Sequence, residues 1–290
     1  MANLRGYTLL IVLSVIWGLA FVAIRRADFE LSPVNLTLLR WFIVSLGFLA
    51  IYPFVVKPKM KFEMRDFPRL LAVALTNVVI YHLALNTAET KVDASLAGLL
   101  ISLAPLTTVL LSVVVLREKT HARLWGALVL AIAGSVVIAS PDISTNSTTF
   151  QGPLLVVVAA ISSGVFTVLS KPLTTKYGPF PVAAWASFVG TAILSPLASP
   201  GLFQQAQGLS AYAWASVLYL AILSTVLANL IYFTLVSRQS LSSLGVQLYL
   251  VPAVSAVGGV LILSESLALA TIAGGALLLV AVGLATSGHH

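Results

Sequence analysis

The chain has 290 residues, of which 59% are hydrophobic and only 9% charged, and its mean hydropathy is +1.03. Soluble domains carry about a quarter charged residues, so a soluble enzyme is excluded and the chain belongs in a bilayer. The net charge of +7 raises nucleic acid as a partner, while the absence of cysteine excludes a disulfide framework and a thiolate metal site.

A hydrocarbon core of about 30 Å requires about 20 apolar residues. Ten such stretches follow one another, at residues 7–24, 34–54, 69–87, 94–116, 123–140, 152–170, 180–198, 211–236, 241–263 and 270–287. The first follows a lone Arg5 without a small-residue cleavage pattern and reads as a retained helix. Within it Trp17 and Phe21 share a face, with Ser14 a turn earlier. Interface anchoring and lipid filling compete with a pocket wall as their role. Arg40, about a turn and a half inside the second stretch, is expected to be structural or to snorkel outward.

The third stretch is the most polar at depth, with Asn77 and Tyr81 on one stripe and His82 and Asn86 on its neighbour. Such groups are expensive in lipid, so this face should turn toward a cavity or another helix. His82 suits either one interhelical hydrogen bond or a substrate contact or proton-sensitive gate. The fourth carries Ser102 and Pro105, the sixth Phe166, the eighth Asn229 and Tyr232, and the ninth Gln247, Tyr249 and Pro252. Each proline lacks an N–H and should bend its helix. Two matched bends point to a binding site between the halves, with plain packing kinks as the alternative. The candidate pocket is therefore Trp17, Phe21, Tyr81, His82, Asn86, Ser102, Phe166, Tyr232, Gln247 and Tyr249, with Pro105 and Pro252 as helix bends.

All nine carboxylates fall in loops or at helix ends, which argues against an exchanger built on a buried acid and leaves no metal cluster and no catalytic pair. Neither enzymatic activity nor a cofactor is expected. Glu118 and Glu265 close the two proline helices; they should satisfy backbone donors of the next helix or pair with a base, a proton-coupling role being the alternative. With the N-terminus in the cytoplasm, 12 of the 16 basic residues fall in cytoplasmic segments, among them Lys57, Lys59, Lys61, Arg65 and Arg69. The positive charge thus sets topology, with both termini cytoplasmic, and nucleic acid is not expected.

The chain repeats itself. Pro105 and Glu118 recur as Pro252 and Glu265, Ser95 and Gly98 as Ser242 and Gly245, all at an offset of 147, and Gly18 and Pro33 recur as Gly164 and Pro179 at 146. A near-constant offset is the mark of a duplication, and two copies with an odd number of spans must lie oppositely in the membrane. The expected fold is an all-α integral membrane protein of ten transmembrane helices in two inverted five-helix repeats. Residues 1–140 form the first repeat, 141–151 a polar linker and 152–287 the second, with 288–290 expected to be a tag remnant.

This layout, the duplicated Gly, Pro and Glu pattern and the Trp17-Gly18 with Phe21 signature resemble the EamA family of the drug/metabolite transporter superfamily, over nearly all of residues 1–287. Its amino-acid exporters are the nearest likeness. The resemblance implies an inner-membrane carrier in which spans one, three, four, six, eight and nine enclose a cavity and spans five and ten lie outside it. The first span lacks the acid of the small multidrug members, so their cation/proton exchange is not carried over. The expectation is a secondary transporter exporting aromatic and other neutral amino acids by alternating access, with small-molecule substrate and bilayer as partners and a monomeric state left open. Since no buried charge is foreseen to meet a zwitterion, its affinity should be low. A drug or sugar-conjugate carrier, or a non-transporting scaffold, is the alternative.

Overall fold

The computed structural model describes residues 4–56, 62–116, 122–143, 150–238 and 245–286, and every regular element among them is helical. In chain order these are α1 (Leu4–Ala27), α2 (Pro33–Val55), α3 (Met64–Glu89), α4 (residues 94–116), α5 (Ala122–Ile143), α6 (Gln151–Tyr177), α7 (Pro179–Leu194), α8 (residues 211–238), α9 (Gly245–Leu263) and α10 (Leu269–Thr286). A short helix, Leu202–Gln207, lies in the loop before α8. Helices α1, α2, α3, α6, α7 and α8 are long and apolar enough to cross a membrane. The other four hold shorter apolar stretches, Ala94–Thr108, Trp125–Ile138, Leu250–Leu263 and Leu269–Ala281. Phe42, Leu46, Val129, Ile132, Leu261 and Ile272 are all more than half or about half exposed. Water would penalise such a surface, whereas lipid does not. The protein is a multi-pass membrane protein.

Helix starts follow local chemistry. Ser32 accepts a hydrogen bond from Asn35 N at 3.3 Å ahead of Pro33 at the start of α2, and Ser210 accepts from Ala213 N at 3.2 Å to start α8. Pro fits the first turn because its missing N–H would be unsatisfied there in any case. A single residue, Gly178, separates α6 from α7, and its φ of +87° is open to glycine at no steric cost.

Packing joins the first part of the chain to the second at matching places. A Cβ on Gly18 of α1 would come within 2.5 Å of Val254 of α9, two residues after Pro252. A Cβ on Gly164 of α6 would come within 2.7 Å of Thr107 of α4, two residues after Pro105. In a membrane, where the hydrophobic effect does not drive helices together, such close backbone approach supplies the packing energy. α5 packs against α10 in the same intimate way, near Gly134 and Gly274.

Two helices also carry wide, i→i+5 turns: Leu75–Ile80 in α3 and Tyr219–Leu227 in α8. These π segments are rare and frequent at functional sites. The prolines act differently from one another. Pro105 follows a 3₁₀ turn at Ile101–Leu103, whereas α9 runs through buried Pro252 without a change of helix type.

Candidate functional site

The π segment of α8 is the centre of the site. Thr225 Oγ1 donates to Leu220 O at 2.7 Å, five residues back within the turn. Trp17 Nε1 of α1 donates to Ser224 O at 3.2 Å, and Arg40 Nε of α2 donates to Thr225 Oγ1 at 2.8 Å. Arg40 Nη1 lies 3.3 Å from His82 Nδ1 of α3, which accepts from it. Tyr219 OH of α8 donates to Ile16 O at 2.8 Å. The wide turn in α3 is used in the same manner, its Thr76 carbonyl accepting from Ser162 Oγ of α6 at 2.8 Å.

Rings gather on both sides of that turn. Trp17 lies 5.2 Å from Tyr232, Phe166 lies 6.4 Å from Tyr232, and the Tyr232 hydroxyl is 3.2 Å from Thr167 Oγ1. Across the turn, Tyr81 and Trp41 flank His82 at 4.8 Å and 5.1 Å, edge-on. Trp17, Tyr81 and Tyr232 are half-buried, while His82 and Phe166 are buried. The arrangement offers flat apolar faces next to one buried guanidinium.

Of the residues singled out in the sequence, the structure groups Trp17, Phe166 and Tyr232 on one side and Tyr81 and His82 on the other, linked through Ser224, Thr225 and Arg40. Asn86 is buried on the same stripe of α3 as His82 and donates to Thr37 Oγ1 at 2.8 Å, which ties α3 to α2. Ser102 is buried and donates to Leu99 O in its own helix at 2.6 Å. Phe21 is buried next to Gly98 of α4, whose missing side chain leaves room for Ser255 of α9. The side chains of Gln247 and Tyr249 lie outside the described residues, as does Glu118.

Of the two expectations for Arg40, the structure removes snorkelling. The residue is 4% exposed, because Thr225 and His82 supply acceptors inside the protein that lipid lacks. A buried charge is therefore present after all.

A second cluster closes one end of the molecule. Glu265, in the loop between α9 and α10, accepts from Ala94 N at 2.9 Å and Ser95 N at 3.0 Å, and from Ser95 Oγ. It thus caps α4 across the chain and not the helix that follows it, since Ser264 at φ +58° turns the loop back over Gly259. A carboxylate is well placed on the exposed N–H groups of a helix start. Beside it Glu89, at the end of α3, is fully enclosed, and its backbone carbonyl accepts from Arg25 Nη1. A position at a helix end therefore did not mean exposure to water.

Sequence reasoning gave Arg40 a structural or snorkelling place and Glu89 a helix end, and passed over Thr225, Ser224 and Thr37. Arg40 carried the signal: an arginine inside a span is by default a sign of function. Thr225 and Ser224 carried none, because serine and threonine bond their own helix backbone as readily as a partner.

Residues 4–140 and 150–287 each match the profile of the EamA-like transporter family. The chain is 33% identical over 270 residues to a protein of Streptantibioticus cattleyicolor described as a "probable terminal-alkyne amino-acid exporter", covering 92% of this chain and 89% of that one. An uncharacterised transporter of Archaeoglobus fulgidus is 29% identical over 280 residues, covering 96% and 98%. A "probable amino-acid metabolite efflux pump" of Escherichia coli is 25% identical over 277 residues, covering 92% and 89%. A solved crystal structure shares the fold, with a TM-score of 0.68 at 19% identity over 99% of this chain and 98% of the other.

Proposed function

This chain belongs to the EamA-like transporter family, and on that premise we propose that it exports amino acids, aromatic and other neutral ones, by alternating access between two inverted five-helix halves. The ten helices and the 4–140 and 150–287 matches support a duplicated ten-span layout. So do the paired contacts Gly18 with Val254 and Gly164 with Thr107. The halves are residues 1–140 and 152–287, in an inner membrane with both termini cytoplasmic.

The observation that carries the substrate class is Arg40. Its Nε and Nη1 are held by Thr225 and His82, and Nη2 has no partner among the described residues. A fixed guanidinium with a free edge is suited to a carboxylate. The rings of Trp17, Tyr81, Phe166 and Tyr232 suit an aromatic or aliphatic side chain. An amino acid presents both features on one small molecule, whereas an uncharged sugar conjugate would leave the guanidinium unpaired. The names of the Streptantibioticus and Escherichia relatives point to the same class.

The experiment is counterflow in proteoliposomes loaded with unlabelled phenylalanine, leucine or alanine, with the labelled amino acid outside. Exchange above empty liposomes, competed by free amino acids and not by their methyl esters, is the expected result. Exchange competed equally by the esters would remove the carboxylate from recognition, and no exchange with any amino acid would overturn the substrate class.

A further inference from the structure

The end of the molecule closed by Glu265 holds more acid than its packing needs. Both carboxyl oxygens of Asp28, in the turn after α1, and both of Glu89, at the end of α3, are sealed from solvent and meet no hydrogen-bond donor. Glu89 as a whole is 0% exposed. Burying one carboxylate without a donor is costly, and burying two side by side more so. The cluster is therefore not explained as packing.

The charged groups around it are few. From α1 comes Arg25, which is turned to the Glu89 backbone carbonyl and not to a carboxyl. From α2, Arg40 is within electrostatic reach of Glu89, and from the α9–α10 loop so is Glu265, together with Asp28. Lys91 and Asp93, on the next turn of chain, are exposed. Among the described residues no His, Cys, Asp and Glu group has the geometry of a metal site. A carboxyl without donors, beside another acid and without metal geometry, is suited to hold a proton.

The position connects this acid to the rest of the protein. His82, Asn86 and Glu89 stand at intervals of four and three along α3, on one stripe. That stripe runs from the Arg40 site past Thr37 to the closed end. Glu265 there clamps the start of α4 through the Ala94 and Ser95 amides.

We infer that the enclosed carboxyls of Asp28 and Glu89 form a proton-binding site whose occupancy controls the Glu265 clamp and thereby couples proton entry to substrate exit. With the proton in place, the Asp28 and Glu89 pair carries one negative charge beside Glu265 and the clamp holds. With the proton gone the pair carries two, and the added charge presses on Glu265 and releases the clamp. Burial pushes the Asp28 carboxyl up to about 8, with Arg25 opposing. Opening the end to water returns it to the ordinary range near ~4, so acid favours the closed form.

The coupling arm rests on the transport reading above, while the site itself can be tested without substrate. Difference infrared spectroscopy of the full-length protein, titrated from acid to alkaline pH, is expected to show a protonated-carboxyl band persisting at neutral pH. Asp28→Asn and Glu89→Gln should each diminish that band. A band unchanged in both variants, or absent from the parent, overturns the site.

In proteoliposomes carrying phenylalanine, one-for-one exchange with protons across one pH unit sustains about tenfold accumulation. The parent should approach this, whereas both variants should lose gradient-driven accumulation and keep counterflow. Accumulation that follows the pH gradient in both variants as in the parent, or that follows sodium at equal pH, overturns the coupling. Should counterflow itself be absent with every amino acid, the substrate reading fails and the infrared titration alone decides the proton site. Glu89→Gln carries a risk of misfolding, so Asp28→Asn, at a less buried position, provides the same readouts.

Discussion

Trp17 and Arg40, on different helices, take hold of consecutive residues of α8: Trp17 donates to the carbonyl of Ser224 and Arg40 to the hydroxyl of Thr225. Both residues lie within the wide turn at Tyr219–Leu227, a helix form that is frequent at functional sites. A shift of α8 would move the indole and the guanidinium together.

Arg40→Lys should therefore fold but transport poorly. A lysine has one nitrogen and cannot reach both Thr225 and His82 in the planar arrangement of a guanidinium. Hydrogen bonds to a charged group contribute about 1.5–3 kcal/mol, which corresponds to about a 10- to 150-fold loss in apparent affinity. The KM for phenylalanine counterflow, measured on monodisperse protein, checks this; Thr225→Val should show a smaller rise.

Trp17→Ala, Phe166→Ala and His82→Ala should each reduce transport, and a bulky Ser102→Trp should block it by volume. Truncating a large buried ring typically costs about 3–5 kcal/mol, so rates must be compared at equal amounts of folded protein. The control should be Ile272→Ala, which is 53% exposed on α10. Leu278 on the same helix would be a poor control, since it is fully buried against α5. If the three truncations transport like the parent, the rings are packing.

Glu265→Gln should weaken the junction between the α9–α10 loop and α4. The neutral amide still accepts one bond but loses the charge-assisted pair to Ala94 N and Ser95 N. A destabilisation of about 1–3 kcal/mol should be visible as a lower Tm in detergent, with Ser95→Ala milder. An unchanged Tm in Glu265→Gln would mean that the clamp contributes nothing.

Stability should fall on both sides of mildly acidic pH, for opposite reasons. The Glu30 carboxyl is held below its ordinary range by bonds from Ser210 Oγ at 2.5 Å and Ser210 N at 2.8 Å, and Glu63 is held down chiefly by its bond from Lys176. A lowered carboxyl contributes above its unfolded pKa and is lost as pH falls through the folded one. Asp28, pushed up to about 8, has the reverse sign: its burial grows more costly as pH rises from near ~4 to about 8. Melting curves across this range should lose the alkaline slope in Asp28→Asn and soften the acidic one in Glu30→Gln.

The orientation is open to a direct test because the chain has no cysteine. With cytoplasmic termini, Met60→Cys should be protected from an impermeant thiol reagent in intact cells and Asn146→Cys labelled. The opposite pattern would invert the topology and move the proton site to the inner face.

The sequence by itself determined that this is a membrane protein, where its apolar helices run, and which glycines and prolines recur. All of these are properties of composition and of spacing along the chain, and bilayer thickness and backbone sterics translate them directly into structure. His82 and Asn86 were legible as groups that must turn inward, because polar side chains at that depth are expensive in lipid, whereas what Trp17 and Phe166 touch came only from the structure. Only the tertiary structure decided what Arg40, Glu89 and Glu265 do. Arg40 meets Thr225 across 185 residues and Glu265 meets Ala94 across 171. Whether a charge in a helix is paired, solvated or enclosed depends on which surface packs over it, and that surface comes from distant parts of the chain.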